Sequence, residues 1–114
     1  MRAFREQLSE LFRVPTGVQK LISTGTTIQS SRDGIRLARL FPGCVYSTAG
    51  VHPHDAKSWD SQSERQLRDM ALAQECVAIG ECGLDFNRNF SPPDVQVEVF
   101  KAQVSITATT KRVW

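Results

Sequence analysis

The sequence predicts an α/β fold with about three parallel strands and flanking helices. Two observations lead to this prediction. Three short apolar runs, each of a length typical of strands, end near Thr24, Gly50 and Gly80. Segments with helical periodicity separate these runs, and each interval is long enough for one crossover helix. Successive strand-helix units of this kind place their strands side by side in one parallel sheet.

The first predicted element is a helix, and a short strand follows it. Four apolar side chains at helical spacing share one face: Phe4, Leu8, Leu11 and Phe12. Pro15 and Gly17 are expected to end this helix, because proline cannot continue its hydrogen bonding and glycine favours helix ends. Residues 18–24 are predicted to form the first strand, which ends at Gly25.

A second helix and a second strand come next. Residues 26–29 have the spacing of a capping box, in which a threonine and a residue three positions later satisfy each other's backbone N–H groups. The apolar positions of the predicted helix are Ile35, Ala38, Leu40 and Phe41. Pro42 is expected to end it. Residues 45–51 are the second predicted strand, which Pro53 interrupts.

The third helix and third strand follow the same pattern. Residues 61–64 again have capping-box spacing and are predicted to open a helix. Its inward-facing positions are Leu67, Met70 and Ala71. The apolar residues 76–79, bounded by Gly80, are predicted to form the third strand.

A last helix is predicted through about Ile106. Ser91 is a suitable N-cap, and a proline follows at the first helical position, where its missing N–H has no cost. The valines at 95, 97 and 99 alternate as they would in a strand. A strand in this segment therefore stays an alternative.

Composition and charge are those of an ordinary globular chain. Of 114 residues, 40% are apolar and 23% are charged, and 14 basic against 12 acidic residues give a net charge of +2. That charge is too small to predict nucleic-acid binding by itself. No run approaches the roughly 18 apolar residues of a membrane span, and no secretory signal opens the sequence. Because the three cysteines form no Cys-x-x-Cys pair, we expect reduced thiols and an intracellular setting, cytoplasmic or nuclear.

Glu81 is the first candidate site residue. It comes directly after the apolar strand and Gly80. A carboxylate at the carboxyl end of a buried strand is costly unless a cation meets it, which indicates a metal ion or a reacting group. The alternative is a buried ion pair with Lys20 or Arg88.

His52 and His54 are the second candidate, just past the end of the middle strand. Residues two apart point to one side of an extended chain, so the two rings could converge on one ligand. Imidazole can bind a metal, donate to a phosphate or transfer a proton. The alternative is a structural or merely solvated pair beside Pro53.

Three further residues near Glu81 have both a functional and a structural interpretation. Asp85 could orient a ligand or a base, or could bond its own backbone in a turn. Arg88 could contact a phosphate through its planar guanidinium, or could be solvated. Cys82 is expected to face away from Glu81 on a pleated strand, as a small buried thiol rather than a nucleophile.

Both ends of the sequence suggest part of a larger domain. A helix with no strand before it opens the chain, and no strand follows the last helix. Three parallel strands would leave two open edges, which favours self-association, whereas a complete (β/α)₈ barrel needs about 250 residues. Residues 1–106 are assigned to one partial α/β unit. Residues 107–114 are assigned to a divergent C-terminal tail.

Three motifs resemble the TatD family of metal-dependent deoxyribonucleases. They lie at residues 23–26, 47–55 and, above all, 78–90, and the resemblance spans about residues 20–106. It implies a (β/α)₈ barrel hydrolase of the TIM type that holds one or two divalent metal ions and cuts phosphodiester bonds in DNA, often as an exonuclease. Glu81 falls on the family's metal-binding glutamate. His52, His54 and Arg88 fall beside that site, where the resemblance implies contact with the DNA substrate.

The chain also departs from the family pattern. The family's first strand, which in many members has a His-x-His metal pair, has no counterpart before Arg2, and its later metal-binding residues would lie beyond Trp114. One interpretation is a DNA hydrolase in a truncated form that is inactive alone; another is a non-catalytic interaction module or remnant. A third is a barrel metal hydrolase acting on amide or ester bonds. The metal could be Mg²⁺, Mn²⁺ or Zn²⁺, since carboxylates suit the first two and imidazole also suits zinc.

Overall fold

Helices and parallel strands alternate along the chain, which confirms the α/β prediction. The computed structural model describes residues 2–13 and 17–110, and the side chains of residues 5–10 and 17–110. In chain order the elements are α1 (Arg2–Arg13), β1 (Leu21–Ser23), α2 (Ile28–Leu40), β2 (Val45–Ala49), a 3₁₀ helix (Pro53–Ser58), α3 (Ser63–Ala71), β3 (Cys76–Ile79) and α4 (Pro93–Thr110). Within the described ranges, no helix is long and apolar enough to cross a membrane.

The strands form one parallel sheet in the order β1-β2-β3. Leu21 pairs with Val45 at the start of the first pair of strands. Ala49 pairs with Ile79 at the end of the second, after a register shift that follows Ser47. Because all three strands run in one direction, their carboxyl ends lie at the same end of the sheet. The loops that follow β2 and β3 therefore meet there.

One face of the sheet packs against helices, and the other is partly open. The main core cluster contains Ile35, Ala49, Leu67, Ala71, Cys76, Ile79 and Ile106, all buried. Alternation along the strands turns other side chains away from this core. Ile22 is 61% exposed and Val77 is 36% exposed. The burial of this chain's own apolar surface is therefore one-sided.

Two predicted helix starts differ from the structure. Thr27, not Thr26, caps α2, and its partner in the capping box is Ser30. The Ser30 hydroxyl accepts from the backbone N–H of Thr27 as the box requires. α3 has no side-chain cap at all. The pair that forms before α3 is Asp60 with Ser63, one residue earlier than the predicted box: the Ser63 hydroxyl accepts from the backbone N–H of Asp60, and Asp60 Oδ1 accepts from that of Gln62.

Other boundaries moved by a few residues. β1 (Leu21–Ser23) and β2 (Val45–Ala49) are shorter than the predicted residues 18–24 and 45–51. Just past the end of β1 the backbone N–H of Gly25 bonds the Thr48 hydroxyl and not a backbone carbonyl, so strand pairing ends there. Leu40, one of the apolar positions of the predicted helix, is 46% exposed. The helical interpretation of the valine segment is correct, and α4 continues past Ile106 to Thr110. The domain boundary at residue 106 stays a prediction.

Several predicted features lie outside the described residues. For α1 these are the side chains of Phe4, Leu11 and Phe12, and the helix-ending Pro15. Of that predicted face, Leu8 is described, and it is buried against Leu37, Ala38 and Val45. Residues 111–114 of the predicted tail are also outside the described part of the chain.

Candidate functional site

The ends of β2 and β3 are tied together by hydrogen bonds that place Glu81 at the carboxyl end of the sheet. The backbone N–H of Gly80 donates to the Ala49 carbonyl at 2.9 Å, and that of Glu81 donates to the Gly25 carbonyl at 2.7 Å. The Thr48 hydroxyl donates to the Gly80 carbonyl at 2.7 Å. These bonds fix where the Glu81 side chain leaves the backbone.

Glu81 is more open to solvent than expected of a residue ending a buried strand. Its side chain is 54% exposed, and its Oε1 lies 3.5 Å from His52 Nε2. The alternative of a buried ion pair with Lys20 or Arg88 is wrong: Lys20 Nζ lies 5.7 Å from the centre of the Tyr46 ring. Arg88 faces Asp85. An exposed carboxylate keeps its oxygen lone pairs available for a cation.

His52 is held in a defined orientation. Its Nδ1 accepts a hydrogen bond from the backbone N–H of His54 at 3.0 Å. Since a backbone N–H can only donate, Nδ1 has no proton, and the proton of the neutral ring is on Nε2. The ring therefore presents an N–H donor toward Glu81. A protonated nitrogen suits a carboxylate or phosphate oxygen and does not suit a metal ion.

His54 is adjacent to His52 but has a different partner. The ring centres are 4.3 Å apart at an angle of 67°. His54 Nε2 lies 2.6 Å from Asp85 Oδ2. The two rings thus share one region, but each faces its own carboxylate, so the expectation of one common ligand does not describe this arrangement. Phe90 packs edge-on against His54, with 4.8 Å between ring centres.

Asp85 makes contacts of both predicted kinds, to its own turn and to a neighbouring side chain. Its Oδ1 accepts from the backbone N–H groups of Asn87 and Arg88, which is the turn interpretation. Its Oδ2 holds His54, which is the orienting interpretation. The His54 hydrogen bond, and next the backbone N–H of Arg88, lower the pKa of the Asp85 carboxyl, whereas its partial burial opposes them. Asp85 is therefore ionised at neutral pH, and His54 donates to it.

We expect this contact to be acid-sensitive. Because the folded pKa of Asp85 lies below the unfolded value of about 3.9, the ionised carboxylate stabilises the fold above that pH, and its contribution is lost as the pH falls through the folded pKa. A titration of the Asp85 carboxyl carbon by NMR should have its midpoint below about 3.9, with His54 ring signals moving in parallel. In Asp85→Asn that coupled movement should vanish; its persistence would contradict the assignment.

Arg88 is largely solvated, and Cys82 is a partly buried thiol that lies in a loop and not on a strand. The Arg88 side chain is 62% exposed, with Nε 3.7 Å from Asp85 Oδ2, so most of its guanidinium faces solvent. β3 ends at Ile79, so Cys82 lies in the loop and not on a pleated strand. Burial, and then the charge of Glu81, raise the pKa of the Cys82 thiol. A protonated thiol is a poor nucleophile, as the structural interpretation requires.

Two buried residues near the site were missed by the sequence interpretation. The side-chain amide of Gln96 bonds both backbone groups of Asp85. Ser91, predicted as an N-cap, instead donates its hydroxyl to the His54 carbonyl at 2.9 Å. A glutamine between valines on the apolar side of α4 was a usable signal, because a buried amide needs partners.

The side chains present fit one carboxylate ligand of a divalent metal site. Glu81 supplies an exposed anionic oxygen donor, of the kind that Mg²⁺ and Mn²⁺ prefer. Among the described residues, no three His, Cys, Asp or Glu side chains are grouped so that they could hold a metal ion. A complete site would need further ligands beyond those in the described part of the chain.

Comparisons with known proteins agree with the fold and with the motifs. The family model for TatD related DNase matches residues 4–113. Proteins named 3'-5' ssDNA/RNA exonuclease TatD, from Salmonella typhimurium and Escherichia coli K12, are 52% and 50% identical to the chain over 92 residues. The match covers 81% of this chain and 35% of each relative. The chain thus spans about a third of the length of the curated relatives it matches.

Solved structures give the same architecture. A TatD homologue from Escherichia coli K12 matches with a TM-score of 0.74 at 24% identity, over 84% of this chain and 38% of that one. An uncharacterized amidohydrolase from Saccharomyces cerevisiae matches with a TM-score of 0.61 at 22% identity, over 78% and 33%. At these identities the likeness concerns the fold alone. The prediction of part of a (β/α)₈ barrel is confirmed.

Proposed function

We propose that this chain, which belongs to the family of TatD related DNases, supplies one metal ligand and two substrate-contacting loops to a metal-dependent nuclease site. The observation that supports this most directly is the half-exposed Glu81 carboxylate at the carboxyl end of a parallel sheet, 3.5 Å from a histidine donor. In barrel enzymes the carboxyl ends of the strands are where the chemistry occurs. Since the chain spans about a third of its curated relatives, the nuclease activity is proposed for the whole site and not for these residues alone.

The proposed substrate is single-stranded DNA or RNA with a free 3′ end. This substrate class comes from the printed activity of the 50–52% identical relatives. It fits a net charge of only +2, because an exonuclease can hold a phosphate through a few placed donors without a broad basic surface. The family resemblance favours DNA as the partner, and RNA is the alternative that the names of the relatives add.

Each named side chain has a separate proposed role. A divalent cation bound at Glu81 would acidify a water molecule and neutralise charge on the phosphoryl group. His52 would donate a hydrogen bond from its Nε2–H to a phosphate oxygen. The hydrogen bond that Nδ1 accepts keeps the ring proton on Nε2 for this contact. Arg88 would contact a neighbouring phosphate through its planar guanidinium. His54, bonded to Asp85, would support the loop and contact the substrate at its edge.

A chimera would test this function. In it, the aligned segment of the Escherichia coli relative is replaced by this chain. We expect release of nucleotides from the 3′ end of labelled single-stranded DNA in Mg²⁺ or Mn²⁺, and no release by the isolated chain under the same conditions. Zn²⁺ should be tested in parallel, since the proposed metal is Mg²⁺, Mn²⁺ or Zn²⁺.

Each other outcome of the chimera has a defined meaning. A folded chimera that is inactive with every metal would contradict the proposal and favour a non-catalytic remnant or interaction module. Hydrolysis of amide or ester substrates without release of nucleotides would favour a barrel metal hydrolase that acts on amide or ester bonds. Activity of the isolated chain would contradict the proposal that the site is shared with residues outside it.

Two further parts of the proposal concern the surroundings of the chain. β1 and β3 are the outer strands of the sheet, and self-association through them stays a prediction.

Cys44, Cys76 and Cys82 are free thiols, which supports the proposed intracellular setting, cytoplasmic or nuclear.

A further inference from the structure

We propose that two buried glutamines of α4, Gln96 and Gln103, are positioning residues that hold the two loops of the proposed site in register. The histidine loop is defined as residues 51–59 and the glutamate loop as residues 80–92. Both glutamines are 1% exposed. The inference rests on the proposed function only in treating these two loops as the site.

Gln103 holds the start of the histidine loop. Its Oε1 accepts from the backbone N–H of Val51 at 2.9 Å, and its Nε2 donates to the Val51 carbonyl at 3.1 Å. The side-chain amide thus pairs with both backbone groups of one residue, as a neighbouring strand would. Val51 directly precedes His52. This pair of bonds therefore fixes the backbone from which the His52 ring projects.

Gln96 holds the glutamate loop in the same way. Its Oε1 accepts from the backbone N–H of Asp85 at 2.8 Å, and its Nε2 donates to the Asp85 carbonyl at 3.1 Å. The same nitrogen donates to the Ser91 carbonyl at 2.8 Å. Asp85 is the residue that holds the His54 ring. Gln96 therefore fixes the backbone from which that carboxylate projects.

Ser91 connects the two loops to each other. It is fully buried. Its hydroxyl donates to the His54 carbonyl at 2.9 Å and accepts from the backbone N–H of Lys57 at 3.0 Å. Through Ser91, the position set by Gln96 also reaches the histidine loop.

Because both glutamines lie on one helix, that helix fixes the distance between the histidine loop and the glutamate loop. Seven residues apart, they lie about two turns apart on the same face of α4. A buried amide is costly unless its donors and acceptor are bonded, and both amides are fully bonded here. Two loops that are far apart in sequence thus take their separation from one rigid element. Such preorganisation matters because a displacement of about 1 Å can lower a rate about 100-fold.

The test is an NMR experiment on the ¹⁵N-labelled chain that reads the ring nitrogens of both histidines. Gln96→Met is expected to shift or broaden the His54 ring signals, and Gln103→Met those of His52, because methionine fills the space but cannot bond the backbone. Ile106→Val is the control: it loosens the buried core under α4 itself but removes no hydrogen bond to the backbone of either loop. It should leave both rings unchanged. Unchanged rings in both methionine variants would overturn the proposal.

A measurement on the unmodified chain covers the case in which a methionine variant does not fold. The backbone N–H groups of Val51 and Asp85 should exchange with solvent as slowly as those of β2, because side-chain amides protect them. Fast exchange at both positions would overturn the proposal. Neither measurement needs a metal or a nucleic acid, so failure of the nuclease proposal would leave these results readable. In an active chimera, each methionine variant should lower kcat/KM about 100-fold.

Discussion

Glu81→Gln is expected to lower kcat of the active chimera by about three orders of magnitude, or roughly 4 kcal/mol in the activation barrier. Glutamine keeps the size of the side chain and one oxygen, but removes the negative charge that attracts a divalent cation. In the isolated chain, the same substitution should abolish the broadening by Mn²⁺ of the His52 ring signals, since His52 Nε2 lies 3.5 Å from the Glu81 carboxylate. The two readouts separate metal binding from catalysis.

Glu98→Gln is the matched control for this prediction. Glu98 is an exposed acid of α4 that lines a groove with Trp59 and Val95, and neither histidine lines that groove. Its substitution makes the same change in net charge, so it should leave both Mn²⁺ broadening and kcat unchanged. Equal losses in the two variants would show a general effect of charge and would contradict the role assigned to Glu81. Broadening that survives in Glu81→Gln would place the metal elsewhere.

The meeting of Glu81 and His52 could be predicted because it depends on backbone topology. Parallel strands place the residues after each strand at one end of the sheet, and the pattern of apolar runs was enough to identify the strands. The exposure of Glu81 could not be predicted in the same way. How much solvent reaches a side chain depends on every element around it, and a strand pattern describes only the backbone from which it leaves.

The contacts that the sequence could not predict are those between side chains distant along the chain. Asp85 lies 31 residues from its partner His54. Gln103 lies 52 residues from Val51. Local spacing carries no information about such pairs. Even local spacing was ambiguous where Thr26 and Thr27 stand together, because both have hydroxyls suited to a capping box and only packing selects one of them.

Gly50→Ala is expected to destabilise the chain by about 3 kcal/mol, a large part of the roughly 5–15 kcal/mol that holds a domain folded. A methyl carbon at Gly50 would lie 2.6 Å from the carbonyl carbon of Gly80 and 2.8 Å from its Cα. Hydrogen bonds restrain the backbone on both sides of this contact, so neither Gly50 nor Gly80 can move away freely. On the other side, the Ser31 hydroxyl is bonded to the backbone of Gly50. Beside the contact, the Thr48 hydroxyl holds the Gly80 carbonyl.

The loss of stability expected in Gly50→Ala comes from steric overlap. Comparison with a second glycine, which has no close neighbours, separates this overlap from backbone strain. Gly43 has a φ of +80° with open space around its would-be Cβ, so Gly43→Ala should lose only about 1 kcal/mol, from backbone strain. Urea unfolding of both variants would give the difference. Because Gly80 directly precedes Glu81, forcing the two glycine backbones apart should also move the carboxylate away from His52, and the His52 ring signals should shift in Gly50→Ala but not in Gly43→Ala. Equal stability losses would mean that β2 and β3 are not in close contact at this point, and the position assigned to Glu81 would lose its support.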